Sequence, residues 1–427
     1  MRTPKILAAF ADLPSTIEPP KMQSPKDRRL GKKLYITTAV IVALVTITVA
    51  LLVTQGVANV SQTEWSKTYY GDGGHAIQTS DGGYAIAGNN ASLMYPAWER
   101  APILIKTDAQ GQLLWNKTFE ATGHVATISI VQTKDGGYAL SGTNIAPPTM
   151  NPVYSGWLIK TDDKGAVQWN KTFGLPLQTC FVIQDSDGNY VLTGYATNDA
   201  NGGDAVLMKV NANGNLLWTK TFGGNSSKLF ALSLVEAKDG GYVFTGALDR
   251  DGWLAKTDAD GDLQWSRTYH QGGYGTFPFN SIAKTKDGGY VVTGGNLANG
   301  WLVKTDSAGN AEWIKTLPVK ALVTSVTQAA DGGYVAVGGY ARQAYIVRTD
   351  ASGTVLYNAS YGDVSANVSS HASSVVLTTD GGFAVSGTLN HYSPTTPEGF
   401  NVTSPACNTV WLAKLYLETN STATQQP

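Results

Sequence analysis

From about residue 60 onward, short apolar runs alternate with clusters of turn-forming residues, and the same set of runs recurs along the chain. Each set holds four runs: a mixed run such as SVTQAA, an apolar run such as YVVTG, a run such as WLVKT, and a run such as LLWNKTF. Short runs rich in Val, Thr, Tyr and Trp and bounded by Gly and Asp predict β-strands. The pattern therefore indicates four short strands per repeat.

A recurring Asp-Gly-Gly-Tyr turn marks each repeat. Counting the variants DGNY and DGGF there are seven copies, spaced 44 to 54 residues apart, which begin at Asp81, Asp135, Asp187, Asp239, Asp287, Asp331 and Asp380. Asp-Gly and Gly-Gly supply the positive φ values of tight hairpin turns, so this turn joins the first strand to the second. An Asp-x-x-Gly turn joins the third strand to the fourth.

The third strand of each repeat is apolar on both faces, as in Trp301-Leu302-Val303. Such a strand needs cover on both sides, and stacked four-stranded blades provide it. We therefore predict an all-β fold, a seven-bladed β-propeller. The fourth-strand sequence first occurs before the first copy, at Trp65–Tyr69, and is missing after the last. This N-terminal strand is expected to close the last blade and to hide two sheet edges.

Two repeat motifs resemble known propeller repeats. The Asp108-x-x-Gly111-x-x-x-Trp115 unit and its copies resemble the tryptophan-docking motif of PQQ-like propellers, with a turn one residue shorter and seven blades in place of eight. The DGNYVLTGYAT stretch at 187–197 resembles the seven-bladed propeller repeat of prokaryotic secreted and surface proteins. Together the resemblances cover about residues 61–418 and imply the fold, but no activity. Nothing matches a quinone-binding site.

An apolar segment precedes the repeats. Residues 34–54 contain no charged residue, are long enough to span a bilayer, and predict one transmembrane helix. Residues 1–33 carry eight Lys/Arg and three Asp/Glu, so we expect a disordered basic cytoplasmic tail and an extracytoplasmic propeller at the cell membrane. The alternative is secretion after cleavage near Ala58. Residues 55–62 form a short linker, 63–418 the propeller and 419–427 a disordered tail.

Composition narrows the range of partners. The chain beyond residue 33 has 23 Lys/Arg and 29 Asp/Glu without a basic stripe, which argues against nucleic-acid binding. Nine Asn-x-Ser/Thr sequences follow the apolar segment and are compatible with a glycosylated surface. The two cysteines, Cys180 and Cys407, form no metal motif, and we expect two unpaired thiols.

The loops between second and third strands vary more than any other part of the repeat. They are long in copy one (89–102), copy two (143–155) and copy seven (388–409), which are neighbours in a closed ring. Their side chains would form one continuous cap, and binding residues favour loops on rigid scaffolds. The predicted ligand or partner site consists of Tyr95, Trp98, Glu99, Arg100, Tyr154, His391, Tyr392 and Phe400.

Other candidate groups have simpler interpretations. Asp258, Asp260 and Asp262 alternate as in Ca²⁺ loops, but the same turn occurs elsewhere without the extra acids, so we expect a plain turn and no cofactor. A serine recurs six residues before most Asp-Gly turns, with His75 and Phe181 in its place in two copies. No base accompanies these serines, and no catalytic residue is predicted.

Three functions remain open from the sequence. The first is a non-catalytic binding module for a protein or glycan at the cell surface, acting through the loop cap. The second is an extracytoplasmic hydrolase or lyase that uses Glu99, Arg100, His75 or His391 at the channel mouth. The third is a structural scaffold.

Overall fold

The structure of the 427-residue chain is a computed structural model. It describes residues 62–90, 100–120, 124–145, 154–174, 177–197, 203–223, 228–270, 278–296, 299–318, 322–340, 342–361, 368–391 and 408–416. The predicted cytoplasmic tail, membrane segment and linker up to residue 61 lie outside these residues. Within the described ranges all regular structure is β-strand, and no helix could cross a membrane. Internal contacts divide the chain into two units, Met1–Val60 and Ser61–Pro427, and the described residues belong to the second.

The described residues form 28 strands in seven antiparallel four-stranded sheets, which we call blades one to seven. Blades one to three contain β2 (Asp72–Gln78), β3 (Tyr84–Asn89), β4 (Pro102–Thr107), β5 (Leu113–Thr118), β6 (His124–Gln132), β7 (Tyr138–Ile145), β8 (Tyr154–Thr161), β9 (Val167–Phe173), β10 (Leu177–Gln184), β11 (Tyr190–Thr197), β12 (Gly203–Val210) and β13 (Leu216–Phe222). Blades four to six contain β14 (Leu229–Glu236), β15 (Tyr242–Leu248), β16 (Asp251–Thr257), β17 (Leu263–Tyr269), β18 (Phe279–Lys284), β19 (Tyr290–Gly295), β20 (Gly300–Thr305), β21 (Ala311–Leu317), β22 (Leu322–Gln328), β23 (Tyr334–Tyr340), β24 (Gln343–Thr349) and β25 (Val355–Tyr361). Blade seven contains β26 (Val368–Leu377), β27 (Phe383–His391), β28 (Thr409–Tyr416) and β1 (Gln62–Tyr70).

The blades form a closed ring. Each first strand contacts the first strands of the two neighbouring blades, including β26 of blade seven and β2 of blade one. The second and third strands are almost fully buried, because the neighbouring blades cover both of their faces. The prediction of an all-β, seven-bladed propeller is confirmed.

The N-terminal strand completes blade seven as predicted. β1 pairs antiparallel with β28, from Gln62 opposite Tyr416 to Tyr70 opposite Thr409. Trp65 then lies against blade one, where its ring packs on Gly111. The same ring meets that of Tyr84 edge-on, with the ring centroids 5.6 Å apart. The same contact links Trp115, Trp169, Trp218, Trp265 and Trp313 to the turn glycine of the following blade.

Each blade also contains a buried cation paired with a turn aspartate. The cation comes from the third strand, and its nitrogen lies 2.5 to 3.0 Å from the carboxylate in the pairs Lys106–Asp81, Lys160–Asp135, Lys209–Asp185, Lys256–Asp239, Lys304–Asp287 and Arg348–Asp331. Lys414 and Asp380 form the seventh pair. From the sequence, Arg348 replaces a repeat lysine and is expected at the outer edge of the blade. It is only 2% exposed, so this expectation is wrong. Hydrogen bonds from the cation help to hold the pKa of Asp81, Asp135 and Asp287 at about 2, against the opposing effect of burial.

Blade three uses a different aspartate for this pair. Lys209 binds Asp185 and not Asp187, and the hydroxyl of Tyr242 from blade four bonds to both partners at 2.9 and 3.1 Å. In blades one, two and five, a Cβ on the second turn glycine would lie 2.7 to 2.8 Å from the lysine nitrogen. Blade three has Asn189 at that position, which blocks the usual site and explains the shift to Asp185.

Candidate functional site

We call the end of the ring where second and third strands are connected the loop face. Arg100 lies there on blade one, and its guanidinium is 2.9 Å from the carboxylate of Asp72 at the start of the first strand. The Arg100 side chain is 38% exposed and that of Asp72 is 18% exposed, so the cation keeps an accessible side. The pair fixes the C-terminal end of the blade-one loop to the scaffold.

The N-terminal end of the same loop is also fixed. The backbone N–H of Asn90 donates to the carbonyl of Ala101, and the N–H of Ala101 donates to Oδ1 of Asn90 at 2.7 Å. The loop that carries Tyr95, Trp98 and Glu99 is therefore held at both of its ends, although these three residues lie outside the described ranges. Fixed ends favour binding, because they reduce the conformational entropy that is lost when a ligand binds.

Polar contacts join blades seven, one and two on the loop face. The buried side chain of Asn89 in blade one accepts hydrogen bonds from the backbone N–H and the hydroxyl of Thr127 in blade two, at 3.0 and 2.9 Å. The N–H of Gly73 in blade one donates to the Thr388 hydroxyl of blade seven at 3.0 Å. These bonds give the three predicted loops a common platform.

Two of the predicted site residues lie in strands. Tyr154 begins β8, pairs with Ile145 and is half-buried, and His391 ends β27 opposite Val368. The loops are accordingly shorter than the predicted ranges 143–155 and 388–409, because the strands extend farther than the apolar pattern suggested. Nothing further is described of the His391 side chain, and Tyr392 and Phe400 lie outside the described residues.

Inside the ring, two aromatic side chains meet where the repeat has serine. His75 of blade one and Phe181 of blade three make an edge-to-face contact with ring centroids 5.4 Å apart, although blade two lies between them. The rings therefore extend inward from the first strands and narrow the centre of the propeller. Burial lowers the pKa of His75 to about 4, which keeps the imidazole neutral at pH 7.

Of the other histidines near the first strands, His371 has a described side chain, and it does not join His75. The His371 ring packs on the backbone of Gly339 in blade six, and burial lowers its pKa. His124 starts β6, and its side chain is not described. Among the described residues there is no group of His, Cys, Asp and Glu that could hold a metal ion.

The recurring serines connect blades. The hydroxyl of Ser374 donates to the Ala76 carbonyl of the next blade at 3.0 Å. The hydroxyls of Ser281 and Ser325 accept hydrogen bonds from backbone N–H groups of the following blades at 3.3 and 3.2 Å. These contacts assign the three serines a structural role.

The Asp258-x-Asp260-x-Asp262 sequence forms the turn between β16 and β17. Oδ1 of Asp258 accepts the backbone N–H groups of Asp260 and Asp262 at 3.0 and 2.9 Å. The Asp262 carboxylate lies 2.7 Å from Lys220 of the preceding blade. Two of the three acids are thus engaged within the protein. Cys180 lies in β10 without a described side chain, and Cys407 lies outside the described residues.

Comparison with known proteins supports the fold. No protein-family profile matches the chain, and no curated protein matches it in sequence. A streptogramin B lyase structure matches with a TM-score of 0.55 at 12% identity, over 82% of this chain and 98% of that one. Proteins of unknown function from Bacteroides caccae (TM-score 0.42, 17% identity, 61% and 90% coverage) and Dyadobacter fermentans (0.49, 10%, 83% and 99%) also match.

At these identities the similarity shows the fold alone. The chain is thus a seven-bladed β-propeller, a class that the seven sheets and their ring closure define independently.

Sequence reasoning missed two features of this region. Asp72, the partner of Arg100, precedes Gly73 in a segment without repeat identity, so no pattern marked it. The sequence did mark His75 and Phe181, because both residues replace the serine that recurs six residues before the Asp-Gly turn. Their meeting depends on the inward direction of two side chains from non-adjacent blades, which the spacing of repeats does not show.

Proposed function

We propose that this propeller is a non-catalytic binding module, tethered to the membrane through residues 34–54 and positioned outside the cytoplasm. Its ligand, a protein or a glycan at the cell surface, would bind on the loop face of blades seven, one and two. The observation that carries the proposal is the common platform formed by the Asn89–Thr127 and Gly73–Thr388 contacts. Three blades joined at one face can present their loops as a single rigid surface.

Arg100 is the described residue best suited to contact a ligand. Its guanidinium is oriented by Asp72 yet remains partly exposed, and arginine is enriched among residues that dominate binding energies. Tyr95 and Trp98 precede Arg100 in the same loop sequence, and we propose that they supply apolar area for the ligand. His75 and Phe181 narrow the ring centre, which favours binding on the surface over binding deep in the channel.

The catalytic alternative has less support. It expects Glu99, Arg100, His75 or His391 to meet at the channel mouth. Of these four, His75 and Arg100 have described side chains, and His75 contacts Phe181 while the charge of Arg100 is directed at Asp72. Similarity to a lyase fold at 12% identity carries no activity to this chain. A general acid or base must reach the reacting atoms within hydrogen-bonding distance, and His75 and Arg100 do not meet in this way.

The test compares matched variants of the full chain in lipid nanodiscs. Binding to a glycan array and to an array of surface proteins would be measured for Arg100→Ala and Trp98→Ala. Lys164→Ala serves as the control, because Lys164 is an exposed cation in a turn at the opposite end of blade two. We expect the two loop-face variants to weaken binding at least about 10-fold and the control to retain it.

Retained affinity in both loop-face variants would contradict the proposal. Equal loss in the Lys164 variant would do so as well. The mass of the mature protein tests the tether separately, since cleavage near Ala58 would remove residues 34–54.

A further inference from the structure

Three of the Asn-x-Ser/Thr sequences share one structural position. Asn116, Asn170 and Asn358 directly follow the aromatic residue of the fourth strand in blades one, two and six. Each side chain is exposed, and so is the hydroxyl residue two positions later, which is Thr118, Thr172 or Ser360. In the other blades the equivalent positions hold Ser66, Thr219, Ser266 and Ile314, so the sequence is not a requirement of the repeat.

The strands that carry these asparagines lie at open sheet edges. Each fourth strand is hydrogen-bonded on one side only, and the three asparagines have the same register, opposite Ile105, Ile159 and Val347 of the third strands. A bulky group attached there would extend from the outer rim into solvent. It would also hinder pairing of the open edge with a strand of another chain.

Asn90 provides the contrast within the same chain. It begins a fourth Asn-x-Ser sequence, but its side chain is half-buried and Oδ1 accepts the N–H of Ala101 at 2.7 Å. A glycan at this position would crowd the base of the blade-one loop. Exposure in the folded protein therefore separates Asn90 from the three edge-strand asparagines.

We infer that Asn116, Asn170 and Asn358 are acceptor sites for asparagine-linked glycosylation and that Asn90 is not. In this reaction the side-chain amide Nδ2 attacks the anomeric carbon of a lipid-linked oligosaccharide phosphate. The N–C bond forms, the bond between carbon and phosphate oxygen breaks, the lipid phosphate leaves, and the amide releases one proton. The hydroxyl residue two positions later is part of the recognised sequence. The inference rests on the proposed extracytoplasmic location and not on the identity of the ligand.

The experiment translates the full chain in the presence of endoplasmic-reticulum microsomes. A tag with an independent glycosylation sequence is added at the C-terminus to report translocation. Peptide mass spectrometry after enzymatic deglycosylation then gives the occupancy of each asparagine. Thr118→Ala, Thr172→Ala and Ser360→Ala each keep the asparagine but remove the recognised hydroxyl, and Asn90→Gln is the matched control.

We expect a modified tag, occupancy at all three edge-strand asparagines, and loss of only the corresponding site in each hydroxyl variant. The Asn90→Gln variant should have an unchanged glycosylation pattern. A modified tag with the three asparagines unoccupied overturns the site assignment. A tag without a glycan would show that the propeller was not translocated. The inference would then fail, because it rests on that location. Occupancy at Asn90 equal to the others overturns the argument from exposure.

Discussion

Replacing His75 with the serine of the repeat should reduce the dependence of stability on pH between about 4 and 6.5. The pKa of His75 is lowered from 6.5 to about 4 by burial, so the folded protein binds fewer protons than the unfolded chain in this range. The stability that neutral His75 provides is therefore complete above pH 6.5 and is lost as the pH falls toward 4. Serine does not titrate there, so the variant should lack this loss.

The sizes of these effects predict that the natural protein is the more stable of the two at pH 7 and that the His75→Ser variant is the more stable at pH 4. The difference between 6.5 and about 4 corresponds to about 3 kcal/mol of unfolding free energy. At pH 7 the variant should be less stable than the natural protein by about 1–2 kcal/mol, because it loses the contact with Phe181 and part of the buried ring. At pH 4 it should be the more stable of the two by a similar amount.

The assay is urea unfolding of the full chain, followed by tryptophan fluorescence at several pH values from 7.5 to 4. Burial also lowers the pKa of His371, which contributes to the pH dependence of both proteins alike. Phe181→Ser is the partner variant. It keeps the imidazole but admits water beside it, so the pKa of His75 should rise toward 6.5 in an NMR titration. Parallel stability curves for the natural protein and His75→Ser would refute the assignment of the pH dependence to this ring.

Three further predictions concern the buried ion pairs. Asp185→Asn should lower the unfolding free energy by about 3 kcal/mol, because it leaves the Lys209 cation buried without its partner, while Asp187→Asn should cost less than about 1 kcal/mol in the same urea assay. Arg348→Lys should change the thermal midpoint little, since six blades use lysine there, and a large drop would show that the guanidinium makes an additional essential contact. The natural protein loses stability as the pH falls from 3.8 to about 2, and Asp135→Asn should remove the part of this loss that comes from the Asp135 carboxylate. That part should be under about 1 kcal/mol, because the carboxylate is half-exposed, and unfolding measured along an acid titration would detect it.

The sequence sufficed for the fold because the repeat constrains every level of it. Apolar third strands require cover on both faces, and the displaced fourth strand at Trp65–Tyr69 identifies the closing pair with β28. Departures from the repeat were harder to interpret. Arg348 was placed at the outer edge although it replaces a repeat lysine, because the burial of that lysine in the third strand was not recognised. Asn189 is visible in the sequence as a departure from the turn glycine. The shift from Asp187 to Asp185 could not be predicted from it, because the space that a Cβ would take from the lysine is known only from the distances in the other blades.

The candidate site was less predictable than the fold. Loop length selected blades seven, one and two, but not the contacts that join them, because Asn89, Thr127 and Thr388 are ordinary strand residues in sequence. Arg100 was selected for its position in the loop, whereas its orientation depends on Asp72. Repeats therefore predict the scaffold, while the residues that differ between copies determine the site and require a structure.

The docking of Trp65 on Gly111 can be tested with two glycines that share a backbone conformation. Gly111 and Gly82 have φ values of +72° and +82°, so alanine is strained at both, at about 1–2 kcal/mol. A Cβ at Gly111 would lie 2.6 to 2.9 Å from the Trp65 ring, whereas Gly82 has no atom within 4 Å of that position. Gly111→Ala should therefore be less stable than Gly82→Ala by about 1–3 kcal/mol in urea unfolding.

A double-mutant cycle identifies the source of that difference. In a Trp65→Ala background the added methyl group has no ring to displace, so Gly111→Ala should cost only the backbone strain seen at Gly82. Additive effects of the two substitutions would contradict the docking contact. The same reasoning accounts for Tyr357, where the repeat has tryptophan. It lies on β25 beside blade seven, whose third and fourth strands, β28 and β1, are not consecutive and are joined by no turn glycine. Within this chain, tryptophan thus occurs on the fourth strands that face such a glycine, and tyrosine on the one that does not.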